Sequence, residues 1–480
     1  MKLSEIANRL KSAEIKGNSL EADIVGITYD SRKVEKGYLF ACVPGFSTDG
    51  HLYINHAKEN GAVAALVERF CDSDITQIKV ESVRKVLSFV ASWIYGDPAK
   101  KTFNVGITGT NGKTTTTFLI RSVLESAGYK PMLFGTILYS FGDKTIPASR
   151  TTPEGPDIMK FLKEGLLSGS DSLVMEVSSH SLELHRVDAI DFNIGVLTNV
   201  TPEHLDFHGT FENYRKAKAK LFQRLKSAAV LNADDENYLY FKRACSTPVV
   251  SYGISVSDAD VRLLDADLKV DGMSLVVMTP SGGLEIKSGL IGRFNVYNIL
   301  AAISFGVAMG FDLEVIKRGV ERVKGVPGRM EVFKKPGFPI VIVDYAHTPD
   351  ALKKVLSTVK ELSPRRIFSV FGLGGNRYAG NRPAMGKIAG SIAYKVFITS
   401  DNARWENPLD IAHQIAEGCK EAGGRYEIIL NRRRAIERAI EEASPEDVVL
   451  ITGKGHEDYF EIRGRRRHFS DREVVEEILG

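Results

Sequence analysis

Short, continuous apolar runs, each ending in a polar cluster, recur along the chain from residue 103 onward. Residues 103–108 read as a strand, followed by a Gly-rich turn and a helix from Lys113 to Ser126. Two more such runs lie at 172–177 and 192–199. The last third repeats the scheme at 339–344, 367–372, 394–399 and 447–453. Apolar runs of this length alternating with helical segments predict parallel α/β sheets. Such sheets bind ligands beyond the carboxyl ends of their strands, so the polar clusters there are where chemistry is expected. At the N-terminus, Leu3, Ile6, Ala7 and Leu10 fall on one stripe and predict a short amphipathic helix.

Two Gly/Pro-rich stretches, 95–101 and 324–329, interrupt the pattern and read as joints. They divide the chain into expected domains 1–97, 98–325 and 326–480, consistent with 480 residues in all. Hydrophobic residues are 43% and charged residues 26%, values of a globular protein with a core. The net charge of +3, from 63 basic and 60 acidic side chains, announces neither a nucleic-acid nor a membrane surface. Four scattered cysteines without CxxC pairing point to reduced thiols, and no segment reads as a signal peptide or membrane span. The expected compartment is the cytoplasm.

The turn after the first strand is Thr108-Gly109-Thr110-Asn111-Gly112-Lys113-Thr114-Thr115. Glycines let backbone amides face phosphate oxygens, and a helix N-terminus adds partial positive charge. Lys113 would reach the β- and γ-phosphates and Thr114 a Mg²⁺ ion. The usual P-loop spacing would put glycine at 107, where this chain has Ile107. A strand-to-helix turn without nucleotide is the plainer alternative.

Glu176 ends the run at 172–177, where a carboxylate can serve Mg²⁺ or simply be a solvated strand end. A loop carrying His204, Asp206 and His208 follows the run at 192–199. His204 is the metal-ligand candidate, with Asp206 and His208 weaker ones. Helical spacing over 214–225 places Lys218 on the inward face with Tyr214, Ala217, Leu221, Phe222 and Leu225. An inward lysine must be paired, neutral or modified, or else snorkel to water along its stem.

GTNGKTT, EVSSH, NVTPEHLDFHG and YRKAKAKLF together resemble the Mur ligases over essentially the whole chain. Further matches are Thr28-Tyr29-Asp30-Ser31-Arg32, Gly292 with Asn295 and Asn298, and Asp344-Tyr345-Ala346-His347-Thr348-Pro349. The resemblance is to the members that add the third amino acid. It implies an N-terminal α/β substrate domain, a central P-loop ATPase-type sheet domain and a C-terminal Rossmann-like domain. By it, ATP and Mg²⁺ are required, and Lys218 is N-carboxylated. Thr114 and Glu176 would serve one Mg²⁺, and His204 with modified Lys218 a second. Asn295, Arg329 and Asp344 would contact ATP along with the 109–115 loop. Ser31 would meet the uridine end of UDP-N-acetylmuramoyl-L-alanyl-D-glutamate, and Thr151, Thr152, Ser178 and Arg186 its sugar and peptide.

The incoming amino acid would meet Arg377, Asp401, Asn402, Ala403, Arg404, Gly453 and Glu457. A planar guanidinium at Arg404 suits a distal carboxylate and implies meso-diaminopimelate, with L-lysine the alternative. Ala403 stands where the family has proline, which would loosen the loop, and Leu184 where some members have a substrate-binding glutamine. His347 is a candidate helper for deprotonating the amine. A monomer without nucleic-acid partner is expected. Two rivals are a folylpolyglutamate synthase-like ligase and a nucleotide-dependent switch that performs no ligation.

Overall fold

The computed structural model describes residues 1–45 and 48–480. It resolves into two compact units: Met1–Val261 with Ala301–Ile316, and Arg262–Leu300 with Lys317–Gly480.

In the first unit, the predicted N-terminal helix forms at Leu3–Arg9 and buries Leu3, Ile6 and Ala7. It accompanies a five-stranded sheet in the order Glu14–Lys16, Thr76–Lys79, Ala62–Val67, Tyr38–Ala41, Gly26–Thr28, parallel except for the first pair. The helix Val83–Tyr95 ends at Gly96, whose φ of +81° gives the left-handed cap that a Cβ would disfavour. The first expected joint therefore starts as an ordered turn, with Ser92 Oγ donating to Asp97 at 2.9 Å.

The central sheet of this unit is built around Phe103–Thr108, flanked by Ser172–Glu176 and Ile194–Leu197 in parallel. Register sets Glu176 opposite Ile107 and Leu197 opposite Thr108, so three strand ends finish level with the Gly-rich turn. Val105, Ile107, Val174, Met175, Val196 and Leu197 are fully buried, each contributing on the order of 2 kcal/mol. Ala228–Asn232 and Val249–Gly253 continue the sheet on one side and Pro131–Phe134 on the other, all in parallel. Beyond Pro131–Phe134 come two antiparallel strands, Leu138–Phe141 and Lys144–Pro147. The expected parallel sheet is thus mixed at this edge, where a tight reversal returns the chain without a crossover helix.

The second unit contains an antiparallel meander, Val261–Lys269, Gly272–Thr279 and Gly282–Ser288. Its main sheet runs Glu331–Phe333, Ile340–Asp344, Val448–Thr452, Ile367–Phe371, Lys395–Ile398, Tyr426–Ile428, antiparallel only at the first pair. Alternation divides its side chains between two cores. Ile342, Leu450, Phe371 and Val396 face Leu352, Leu356, Met385 and Ile415 from one helical layer. Val341, Val343, Phe368, Val449 and Phe397 face Ile436, Ala439, Val474 and Val475 from the other. Helices on both faces of a largely parallel sheet make the expected Rossmann-like layering.

Among the described residues the four cysteines are free, and no helix is long and apolar enough to cross a membrane.

Candidate active site

Gly109 and Gly112 take φ of +147° and +85°, and the helix Lys113–Ser126 starts directly after. A Cβ on Gly109 would lie 1.9 Å from Thr198 Oγ1, so only glycine fits. The neighbouring strand end moulds the loop. Thr110 N donates to Asn199 O at 2.7 Å, Asn111 N to Asn199 Oδ1 at 3.0 Å, and Thr198 Oγ1 to Asn111 O at 2.6 Å. Ile107, where the standard spacing would have glycine, is a fully buried strand residue; the turn begins two residues later. Lys113 Nζ donates to the carbonyls of Gly109 and Thr110 at 2.9 and 2.8 Å. Thr114 and Thr115 are buried in the first helical turn, where amides lack intrahelical acceptors.

Glu176 is 1% exposed, not a solvated strand end. Its oxygens accept from Thr136 N at 2.8 Å and Thr136 Oγ1 at 3.0 Å. A Cβ on Gly135 would come within 2.6 Å of Glu176 Oε1. Thr136 escaped the sequence reading, although residues 131–134 form another apolar run ending in Gly-Thr. The same network gathers several predicted substrate contacts. Thr151 Oγ1 lies 3.1 Å from Thr136 Oγ1, whose one proton goes to Glu176, and Thr152 Oγ1 donates to Glu176 O at 2.8 Å. Ser178 N donates to Thr152 Oγ1 at 3.1 Å. Arg186 Nη1 donates to Thr152 O at 3.2 Å while its Nε pairs with Glu154 at 3.0 Å. Ser31 sits elsewhere in the unit, its hydroxyl 3.0 Å from His56 Nδ1.

Lys218 is 2% exposed, so it does not snorkel. Its Nζ donates to Gly109 O at 2.8 Å and lies 4.5 Å from the centroid of the Tyr214 ring. Burial, then the nearby charge of Lys113, hold its pKa well below the usual lysine value. A neutral, buried amine is the form that reacts with CO₂, so the position fits an N-carboxylated lysine.

His204 has φ of +54° and heads the short helix Leu205–His208. Its ring lies 4.7 Å from that of His180, edge to face, and the His208 ring lies 5.5 Å from that of His180. Burial, then His204 and His208, hold His180 down to about 4. His180 is a member of this cluster that the sequence did not single out. Buried His208 pairs with Ser179 Oγ at 3.0 Å, which accounts for it structurally, and Asp206 is exposed.

No three His, Cys, Asp or Glu side chains among the described residues form a metal cage. The expected set has only Glu176 and His204 of those types, with a hydroxyl and a lysine. That donor set fits Mg²⁺, which keeps waters and substrate phosphates among its ligands and needs few from protein.

In the second unit, Asp344 accepts from Met330 N at 2.9 Å and Ala346 N at 2.8 Å, and burial pushes its pKa up against the pull of Arg329. Arg329 lies 5.4 Å from the Tyr345 ring centroid. Asn295 is buried, donating to Ile291 O and accepting from Asn298, each at 2.8 Å. His347 is exposed, its Nδ1 2.9 Å from Tyr345 O.

Asp401, Asn402, Arg404, Gly453 and Glu457 do come together. Asn402 Nδ2 donates to Glu457 Oε2 at 2.9 Å, and a Cβ on Gly453 would sit 2.9 Å from Asp401 Oδ2. Arg404 takes φ of +52° and donates from Nη1 to Gly375 O at 2.7 Å. The backbone around Ala403 is hydrogen-bonded on both sides. Gly375 N donates to Asn402 O at 2.9 Å, Glu406 N to Ala403 O at 3.0 Å and Arg404 N to Glu461 O at 3.0 Å. Arg377 stands exposed, outside this network. Lys454, not singled out by the sequence, is fully buried with Nζ 3.5 Å from both Asn402 Oδ1 and Glu457 Oε2.

Three family models match in succession: "Mur ligase family, catalytic domain" over 23–94, "Mur ligase middle domain" over 107–306, and "Mur ligase, glutamate ligase domain" over 328–455. A UDP-N-acetylmuramoyl-L-alanyl-D-glutamate--2,6-diaminopimelate ligase of Geobacter metallireducens is 43% identical, covering 99% of this chain and 98% of that one. The like-named protein of Bacillus velezensis is 42% identical over the same shares. A solved structure bearing that enzyme name is 32% identical, with TM-score 0.71, covering 100% of this chain and 98% of its own. Ordered domain matches and full-length identity agree with the loop, the strand-end carboxylate and the buried lysine: the chain belongs to the Mur ligase family.

Proposed function

We propose that the protein uses ATP to join meso-2,6-diaminopimelate to the D-glutamyl carboxylate of UDP-N-acetylmuramoyl-L-alanyl-D-glutamate, a step in peptidoglycan synthesis. The carrying observation is full-length likeness to ligases named for that reaction, in a chain that keeps Arg404 beside a joined Asn402–Glu457 pair. Its domains would be bounded near residues 97 and 325, and it would act as a cytoplasmic monomer, where ATP and UDP-linked precursor are available.

In this reading, the 109–115 loop cradles the ATP phosphates. Lys113 leaves the carbonyls of Gly109 and Thr110 to neutralise charge on the transferring group. Asn295, Arg329 and Asp344 contribute further ATP contacts. Lys218 Nζ, neutral in its buried site, attacks CO₂; the new N–C bond and loss of one proton leave an anionic carbamate. Thr114 and Glu176 would hold one Mg²⁺, and His204 with that carbamate a second. The two ions would supply charge neutralisation at the phosphates when bound.

Ser31 takes the uridine end of the precursor, and Thr151, Thr152, Ser178 and Arg186 orient its sugar and peptide. The D-glutamyl carboxylate attacks the γ-phosphorus, ADP leaves, and an acyl phosphate results. Arg377, Asp401, Asn402, Ala403, Arg404, Gly453 and Glu457 hold the amino acid, with Arg404 on its distal carboxylate. The free amine attacks the acyl carbon, phosphate departs from the tetrahedral intermediate, and nitrogen loses a proton. No single general base is assigned.

The test is phosphate release with precursor present and each amine supplied in turn. Release that requires diaminopimelate supports the reading; equal turnover with L-lysine would reassign the amino acid. Turnover indifferent to any amine would leave a nucleotide switch in its place.

A further inference from the structure

Arg432 and Asp471 form an ion pair in which both side chains have 0% exposure. Arg432 Nε and Nη2 each reach an Asp471 oxygen at 2.7 Å. Nη2 also donates to Thr452 O at 2.9 Å, and Nη1 to Ser400 O at 3.4 Å. Thr452 ends the strand Val448–Thr452 and Ser400 lies two residues beyond the strand Lys395–Ile398; the two are not neighbours, since Ile367–Phe371 runs between them. One guanidinium therefore ties two strand ends together across the strand that separates them. Only a planar group with several fixed donors can hold a carboxylate and two separate carbonyls at once.

The residues that follow those carbonyls are Asp401 and Gly453. Their approach is close, a Cβ at 453 standing 2.9 Å from Asp401 Oδ2. Asn402 and Lys454 come next, both joined to Glu457. A small change in the spacing of the two strand ends would separate the groups expected to grip the amino acid.

We propose that Arg432 and Asp471 are positioning residues for the amino-acid pocket, fixing the separation of the strand ends that carry Asp401 and Gly453. This rests on the assignment of that pocket under the proposed function. A pair present only for stability could be exchanged for apolar side chains, because buried ion pairs replaced whole cost little or no stability. A positioning pair could not be exchanged without kinetic effect.

The experiment is steady-state kinetics of the full-length enzyme carrying Arg432→Met with Asp471→Leu, alongside Arg432→Lys and the parent. Lysine keeps the charge against Asp471, but its single nitrogen cannot span both carbonyls and both carboxylate oxygens. In either variant KM for diaminopimelate is expected to rise about tenfold while KM for ATP stays within about twofold. An unfolding midpoint near the parent's establishes that the double variant is folded; if it fails to fold, Arg432→Lys decides. Unchanged KM for diaminopimelate, or a common rise for all three substrates, overturns the proposal. A parent enzyme whose phosphate release ignores diaminopimelate removes the pocket assignment itself, a different result from either.

Discussion

Lys113 and Lys218, 105 positions apart in sequence, donate to the same backbone oxygen, the carbonyl of Gly109, at 2.9 and 2.8 Å. Two ammonium groups sharing one acceptor repel each other, and burial penalises the charge of Lys218 further. Both effects favour the uncharged amine, the form that the proposed reaction with CO₂ requires. Exhaustive removal of bicarbonate should therefore slow phosphate release, and adding it back should restore the rate. Lys218→Met should lower kcat at least about a hundredfold, as loss of a group acting on the transferring phosphoryl does, with bicarbonate giving no rescue. A bicarbonate-independent parent would separate Lys218 from carbamate chemistry.

Gly109→Ala puts a methyl where Thr198 Oγ1 already stands, in a backbone region foreign to alanine. The loop must shift, at a cost of about 2–4 kcal/mol. Calorimetry should find ATP binding lost and thermal denaturation should find the midpoint lowered. Retained affinity would mean that the loop does not need its present shape.

Arg404→Ala should raise KM for diaminopimelate by about a hundredfold, the cost of leaving a carboxylate without its guanidinium. Competition by L-lysine, which has no distal carboxylate, should be unaffected. Competition kinetics with both amines reads this directly; an unchanged KM would move the distal carboxylate elsewhere.

His456 is held down to about 4, by burial first and then by Arg329. Between that value and the ordinary imidazole range, the unfolded chain binds a proton that the folded chain does not. Its contribution to stability is present above that window and is lost as pH falls through it, by at most about 1.4 kcal/mol per pH unit. His456→Phe should flatten the acid limb of a midpoint-against-pH curve relative to the parent. Parallel curves would show that His456 titrates normally.

The repeated strands and the phosphate loop were legible because their signals are local: apolar runs with punctuation, and glycines where the backbone turns. Lys218 was legible as inward because helical period alone fixes its face. The antiparallel edge at 138–147 and the meander at 261–288 were not. Val261–Lys269 mixes Arg262, Asp265 and Asp267 into a strand whose apolar face is interrupted, so it carries no clean period of two. Thr136 and His180 join their clusters through pairing with distant strands and loops. Nothing in the local sequence singles out Arg432 or Lys454. Arg432 is buried against a partner 39 positions away, and Lys454 against Asn402, 52 positions away, as well as Glu457 close by.

Transfer of oxygen from the precursor is the most direct test of carboxylate activation. With ¹⁸O in both D-glutamyl side-chain oxygens, complete turnover with ATP and diaminopimelate should place one labelled atom in inorganic phosphate and leave the other in the new amide. Mass spectrometry of the released phosphate reads the outcome. Unlabelled phosphate accompanied by full-length product would contradict an acyl phosphate and the account built on it.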